Sequence, residues 1–446
     1  MKRGPKRGLD QIQSKSCPKP KPTPPRPFPF TFTSCCTRSI FIVCLSLLTR
    51  ELLYYAISDG CQPWIFNTII IIMSEADDLG WLGYFIGNSQ HLELLRIHGI
   101  PDGAGVEERM DAFVKGIARN KSIREIDISI ESLNDHSHAA ILRAVSNYSQ
   151  LERLKIYCSD NLGLNSRSAL GTLLESGVCQ LRKLTLWGNG TNDDAAATIA
   201  NGLKSIAATL EDLDLPSTSI GNDGLLSVVL GLANSTSLKT LSLDGNDFSL
   251  AAEGLSSLSE WLQSLPMTLQ QLNINDCQIN DQGLQAFTQG SAINCRELNL
   301  QENQSITATE LSCLSNSLQS ESCRVEILDL CYVSSAIGED GMKALARGLA
   351  RNTSMRSLRL GDANSLVSPA QWLAFSKALC NTSSVNSTYL SNHTIHTIMD
   401  ELHGIDDFYP EDIALYLRLN EQRMLLDAKS SGSTATSICS DSCNGA

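Results

Sequence analysis

The sequence predicts an α/β solenoid, with short parallel strands stacked along a concave face and a helix behind each on the convex face. Two observations carry the prediction. A leucine spacing, LxxLxLxxN, recurs along the 446 residues, and a stretch of helical periodicity separates each copy from the next. Repetition at a fixed period marks architectures in which each unit packs only on its neighbours.

The plainest copies are Leu181, Leu184, Leu186, Asn189 and Leu238, Leu241, Leu243, Asn246. A third, Leu269, Leu272, Ile274, Cys277, has cysteine in the ninth place. Looser copies start at Leu92, Ile123, Leu151, Leu210, Cys295, Val325, Met355 and Val385, so that eleven starts recur every 26–31 residues. Counting each start as position 0, the apolar residues at +3 and +5 alternate with polar ones, the period of a strand. Between copies the period changes. In residues 337–352, Met342, Leu345, Ala346 and Leu349 fall on one helical stripe. The runs from Gly221 to Leu225 and from Asn280 to Leu284 open helices with polar residues able to cap free N–H groups. One unit cannot bury its own leucines; stacking buries each against the next, for about 1.5–3 kcal/mol apiece. The ninth-position Asn189, Asn246 and Asn303 are structural, their amides bonding backbone groups left unpaired where the strand ends.

Units of 28–30 residues, each with a full helix, resemble the ribonuclease-inhibitor-like class of leucine-rich-repeat proteins over residues 74–393. The resemblance implies a right-handed α/β horseshoe that binds proteins through its concave face and rims. The opening Asp78-Leu79-Gly80-Trp81-Leu82-Gly83, and the closing runs from Ser391 to Ile395 and from Tyr409 to Asn420, look like the ends of predicted intracellular repeat proteins of diatoms and related algae. Val385 departs from the pattern, because Thr388 follows where an aliphatic residue is expected. The expected organisation is about eleven repeats over 74–393, a helical cap over 394–427 that covers the open edge, and a Ser/Thr-rich disordered tail over 428–446.

Residues 1–72 read as lying outside the fold. They begin basic and Pro-rich, with KPKPTPPRPFP from Lys19 to Pro29, and carry short apolar runs at Ile40–Leu48 and Ile69–Met73. Neither run approaches the roughly 20 residues of a membrane-spanning helix. Met73 opens an acidic segment that leads directly into the repeats. The favoured reading is an extension or tail outside the mature fold. A targeting signal is the second reading and an anchor formed by residues 40–73 the third; only these two would place the chain at a membrane or in the secretory route.

Charge is uneven. Residues 1–72 carry +7 of a total of −13, leaving −20 on the rest. So acidic a body repels phosphate backbones, which argues against nucleic acid and favours a protein or peptide partner. The fifteen cysteines form no CxxC. Those at repeat positions, including Cys179, Cys277, Cys295 and Cys331, read as reduced, buried thiols, which suits a cytoplasmic location.

No residue pattern announces catalysis. GxxxxGK[ST], HExxH and GxSxG are absent. His136 and His138, and His393 and His396, read as polar loop residues, and Asp193/Asp194 as a helix start. No metal, cofactor or catalytic residue is expected. Nine Asn-x-Ser/Thr sites occur, among them Asn120, Asn234, Asn352 and Asn381, which fall between a helix and the next strand where asparagine readily ends helices.

The register selects the exposed residues. Positions +2, +4 and +6 point away from the leucines. They bring Arg153, Lys155 and Tyr157 beside Lys183, Thr185 and Trp187, with Asp212, Asp214 and Asp244 on the next strands. Later strands read as neutral and amide-rich, with Gln271, Asn273, Asn275, Glu297, Asn299 and Gln301. Tyr157 and Trp187 fall on adjacent strands, close enough for their rings to meet. Exposed aromatics beside Arg and Lys are the usual material of binding hot spots. The expected function is an intracellular scaffold or adaptor that binds a protein partner. Two alternatives stay open: a regulator of a small GTPase, since Ran GTPase-activating proteins share this repeat class although their acidic tail is missing here, and a secreted or cell-surface recognition receptor.

Overall fold

The computed structural model describes residues 40–44, 68–72, 79–98, 106–129, 134–157, 163–176, 180–188, 192–289, 293–333, 338–360, 369–399 and 410–430. Asn189 and Cys179 lie outside them. Thirteen strands among the described residues form one parallel sheet in strict chain order. They are β1 (Ile40–Cys44), β2 (Thr68–Ile72), β3 (Leu94–His98), β4 (Glu125–Ser129), β5 (Arg153–Tyr157), β6 (Lys183–Trp187), β7 (Asp212–Asp214), β8 (Thr240–Ser242), β9 (Leu269–Asn273), β10 (Cys295–Asn299), β11 (Ile327–Asp329), β12 (Ser357–Arg359) and β13 (Thr397–Met399). From β2 onward helices alternate with them: α1 (Leu79–Asn88), α2 (Val106–Arg119), α3 (Asp135–Val145), α4 (Leu164–Glu175), α5 (Asp193–Ile206), α6 (Asn222–Gly231), α7 (Ala252–Ser264), α8 (Asp281–Thr288), α9 (Ala308–Leu318), α10 (Gly338–Arg351), α11 (Pro369–Leu379), α12 (Val385–Tyr389) and α13 (Glu411–Ser430).

The leucine register holds from strand to strand. Leu154, Leu184, Leu213, Leu241, Leu272, Leu298, Leu328 and Leu358 are directly paired neighbours at position +3, and all are buried. At +5, Leu186, Leu215, Leu243, Ile274, Leu300 and Leu330 continue the same buried layer. Hydrogen bonding runs on past the strands, with the Leu215 N–H donating to Ser242 O (2.9 Å) and the Leu243 N–H to Asn273 O (2.8 Å).

Asparagine closes the turn after the strand, as its ninth-place position predicts. Asn246 Oδ1 accepts from the Thr218 and Ile220 N–H groups (3.1 and 3.0 Å), and its Nδ2 donates to Leu215 O (3.0 Å). Asn303 does the same one strand pair later, accepting from Cys277 and Ile279 N–H (3.1 and 2.9 Å) and donating to Ile274 O (2.9 Å). Cys277 reproduces only the donor half, its Sγ contacting Leu243 O at 3.1 Å. One residue before this position the chain turns left-handed, at Ser217, Asp276, Glu302 and Tyr332 (φ from 49° to 60°) and at Gly188 and Gly245.

A second set of amides, placed after a helix, bonds to the end of a helix in the preceding repeat. Asn120 Nδ2 donates to Ile86 O (2.7 Å), Asn352 Nδ2 to Leu318 O (2.7 Å) and Asn392 Nδ2 to Leu349 O (2.7 Å). Tyr148, through its hydroxyl, and Trp261, through Nε1, donate to Ile117 O and Leu232 O in the same manner. Asn120, Asn303, Asn352 and Asn392 are therefore buried members of Asn-x-Ser/Thr triplets, whereas Asn234 is exposed.

At position +1 charges alternate along the rim. Arg124 pairs with Glu152 (2.7 Å), Glu211 is held between Arg182 (2.6 Å) and Lys239 (2.5 Å), and Glu326 lies between Arg296 (3.8 Å) and Arg356 (3.7 Å). Singly these partly exposed pairs contribute little. Their sequence of signs matters more, because it fits each repeat to its own two neighbours.

Four expectations are corrected. The sheet takes in β1 and β2, which the sequence reading left outside the repeat domain; β2 pairs with β3 (Ile70↔Arg96) and β1 with β2. Their runs, IFIVC and TIIII, are the near-continuous apolar, β-branched composition of parallel strands, too short to span a membrane and sufficient for one strand each. Val385 does not start a repeat: it opens α12 and is 90% exposed. Ile395 and Ile398, both buried, restore the 0 and +3 positions, and β13 pairs with β12 through Leu358↔Ile398. The described residues of 394–427 thus contain a strand and, after it, a helix. α13 buries Ile413 and Leu417, and its Asn420 amide donates to Ile395 O (2.8 Å); the helix runs to Ser430, past the expected start of the tail. Finally, His136 and His138 lie in the first turn of α3, where Asn134 caps the helix by accepting from Ser137 N–H, and His138 is buried.

Two stability predictions follow from the packing. Leu272→Ala should cost about 2–5 kcal/mol, read as a lower Tm, because Leu241 and Leu298 lose their shared neighbour. Gly116→Ala should also destabilise, by about 1–3 kcal/mol, although alanine is the better helix former. A Cβ at Gly116 would lie 1.8 Å from the Gly83 carbonyl oxygen and force α1 and α2 apart.

Candidate functional site

The free face of the sheet carries the residues at +2, +4 and +6. On β5 and β6, Arg153 faces Lys183, Lys155 faces Thr185, and Tyr157 faces Trp187. The two rings meet edge to face, with centroids 5.1 Å apart and planes at 88°. Such pairs add about 0.5–1.5 kcal/mol beyond burial. Trp187 nevertheless remains 46% exposed.

Around this pair the charges are unevenly satisfied. Arg153 contacts Glu125 at 3.3 Å. Among the described residues, Lys155 and Lys183 make no ion pair within 4.0 Å, and both are exposed. Thr185 stands on the free face by register but is buried among its neighbours, its hydroxyl 3.5 Å from Asp214. β7 follows with Asp212 facing Lys183 and Asp214 facing Thr185. Burial pushes the Asp214 carboxyl above its ordinary value; Asp244 adds to the rise, and Lys183, Ser242 and Thr185 oppose it. Ser242, the β8 residue facing Asp214, donates its hydroxyl hydrogen to Asp244. The structure thus places seven of the eight candidate residues on three consecutive strands, β5 to β7, and Asp244 two residues past the end of β8.

Sequence reasoning missed a second polar group on the same face. Arg359 on β12 reaches Asp329 (3.3 Å) and Glu297 (3.7 Å), across two strands. Burial raises the Glu297 carboxyl, Arg359 pulls it down, and Asp329 raises it. These strands read as neutral because Arg359 sits two repeats beyond Glu297; only the completed register aligns them. In this group the cation is paired, unlike the lysines at the other end.

Elsewhere the described residues offer less. A hollow of about 400 Å³ between α8 and α9 is lined by Gln285, Thr288, Gln289, Cys313, Asn316 and neighbouring serines. Another of about 300 Å³ lies between α2 and α3, beside Met110, Val114 and His136. Among the described residues no three His, Cys, Asp or Glu side chains gather as metal ligands, and no helix is long and apolar enough to cross a membrane. Cys277, Cys295 and Cys323 are free, buried thiols, and Cys331 is buried as well.

Asp214 supplies a test by pH. Its carboxyl is raised in the folded state, so ionisation costs stability as pH rises through the ordinary 3.8 and beyond. Asp214→Asn should therefore raise Tm at neutral pH, with the advantage shrinking as pH falls towards 3.8 and gone below it.

Comparison with family models agrees with this architecture. A leucine-rich-repeat family model matches residues 266–287, which span β9 and all but the last residue of α8. Among solved structures, the leucine-rich repeat-containing protein LegL7 from Legionella pneumophila is similar, at 18% identity and a TM-score of 0.43, over 74% of this chain and 98% of that one. No curated protein matches the chain. With strand and helix alternating in one open parallel sheet, and the repeat motif recognised at residues 266–287, the chain folds as an α/β leucine-rich-repeat solenoid.

Proposed function

We propose that this chain is a non-catalytic interaction module that binds a protein partner across the free face of β5 to β8. The observation that carries the reading is the Tyr157–Trp187 pair. A tryptophan fixed by its neighbour yet 46% exposed, beside two exposed lysines that make no ion pair within 4.0 Å among the described residues, is preorganised for contact. Tryptophan, tyrosine and arginine dominate interface energetics, and a fixed ring loses little entropy on binding. Repeat units of 28–30 residues, each with its own helix, support assignment to the ribonuclease-inhibitor-like class, whose sheet face is the usual docking surface. The buried cysteine thiols support a reducing, cytoplasmic setting.

The test is capture by the full chain and by the Tyr157→Ala/Trp187→Ala double variant, followed by identification of what the wild type alone retains. The variant should keep its far-ultraviolet dichroism and Tm within a few degrees and lose at least about 2 kcal/mol of binding, roughly 30-fold in Kd. Equal retention by both proteins would discard this face.

A further inference from the structure

The same face shows what kind of segment it accepts, an inference that rests on the docking surface proposed above. Charge along it is ordered by strand. Lys155 and Lys183 stand on β5 and β6, while Asp212, Asp214 and Asp244 lie on and just beyond β7 and β8. Trp187 stands at the opposite end of β6 from Lys183, on the strand next to β7. In its own column, position +6, the next residue is Pro216, buried, and the one after that is Asp244. The Gly188 N–H to Pro216 O contact (3.5 Å) and the Ser217 N–H to Asp244 O bond (2.7 Å) fix this order. No polar side chain therefore intervenes between ring and carboxylate in that column.

The carboxylates lack a full counter-charge. Asp214 is partly buried, with Asp244 near enough to disfavour its ionised form, and Lys183 is its cationic neighbour. The acids of the rim column are already paired, Glu211 with Arg182 and Lys239, and Glu152 with Arg124. Positive charge brought to Asp214 and Asp244 would relieve their repulsion, and a guanidinium could do so while stacking on the exposed ring.

We propose that the bound segment is extended and bipolar, with an acidic side chain over Lys155 and Lys183 and an arginine over Asp214 and Asp244 against Trp187. The two groups are centred two strand steps apart, about 10 Å across the sheet at the usual 4.8 Å spacing, with an offset of two residues along the strands that the long lysine side chains can span. A polyproline-II segment advances about 3.1 Å per residue and repeats every three, so an acid and an arginine three residues apart cover about 9 Å on one side. The partner motif is accordingly an Asp or Glu and an Arg at i and i+3, in either chain direction.

A phage-displayed random peptide library, panned on the full chain after depletion on Tyr157→Ala/Trp187→Ala, tests this directly. Retained peptides should share the acid–arginine pair at three-residue spacing. In a synthetic copy of the leading peptide, replacing arginine with citrulline should weaken binding to the wild type roughly tenfold or more, and weaken binding to Asp214→Asn/Asp244→Asn little. Asp244→Asn alone, at a strand end, serves if the double variant loses its fold. Retained peptides that are apolar or carry one sign of charge, or a citrulline loss equally large on both proteins, would overturn the bipolar motif and leave the docking face standing. A library with no peptide that prefers the wild type to Tyr157→Ala/Trp187→Ala would remove the face itself.

Discussion

Each repeat here depends on the next to finish what its own residues cannot. A strand of three to five residues has no partner within its unit, and a row of leucines has nothing local to bury against. The neighbour supplies both, and the ninth-place asparagine joins the two functions. Asn246 and Asn303 reach back into the preceding turn, take up its N–H groups and release a carbonyl from isolation. Because those groups are buried, a missing partner would leave desolvated donors rather than merely a weaker contact. Order therefore spreads from unit to unit, and the free face inherits a regular lattice of side-chain positions.

That lattice explains why much of the site was legible in the sequence. Strand pairing by equivalent repeat position is enough to set Tyr157 beside Trp187 and Lys155 beside Thr185. It works because β5 to β8 follow the leucine spacing without insertions. Where spacing changes, the reading fails. Val385 has an apolar side chain at nearly the right interval, but Thr388 cannot enter the core, and α12 with its following turn delays the strand to Ile395 and Ile398. The interval is stretched by an insertion whose local mark is Thr388 at the +3 place, which shows a departure but not its length.

The N-terminal strands were missed for a different reason. A run such as TIIII carries no alternation, and the same composition serves a buried parallel strand or part of a signal segment. Only pairing with β3 decides. Likewise the Arg359–Asp329–Glu297 group joins residues from three repeats, so no single copy of the motif contains it. Thr185 shows the remaining limit: register states which way a side chain points, while burial depends on how tall its neighbours are.

The alternating charges on the rim have a consequence for how such a chain can change length. Excising the unit that bears Arg182 would set Glu152 against Glu211, and excising the unit that bears Glu211 would set Arg182 against Lys239. Loss of two adjacent units would instead restore opposite signs across the junction. In this part of the stack, shortening is electrostatically tolerated by twos, so the sign pattern acts as a parity rule on an otherwise modular polymer.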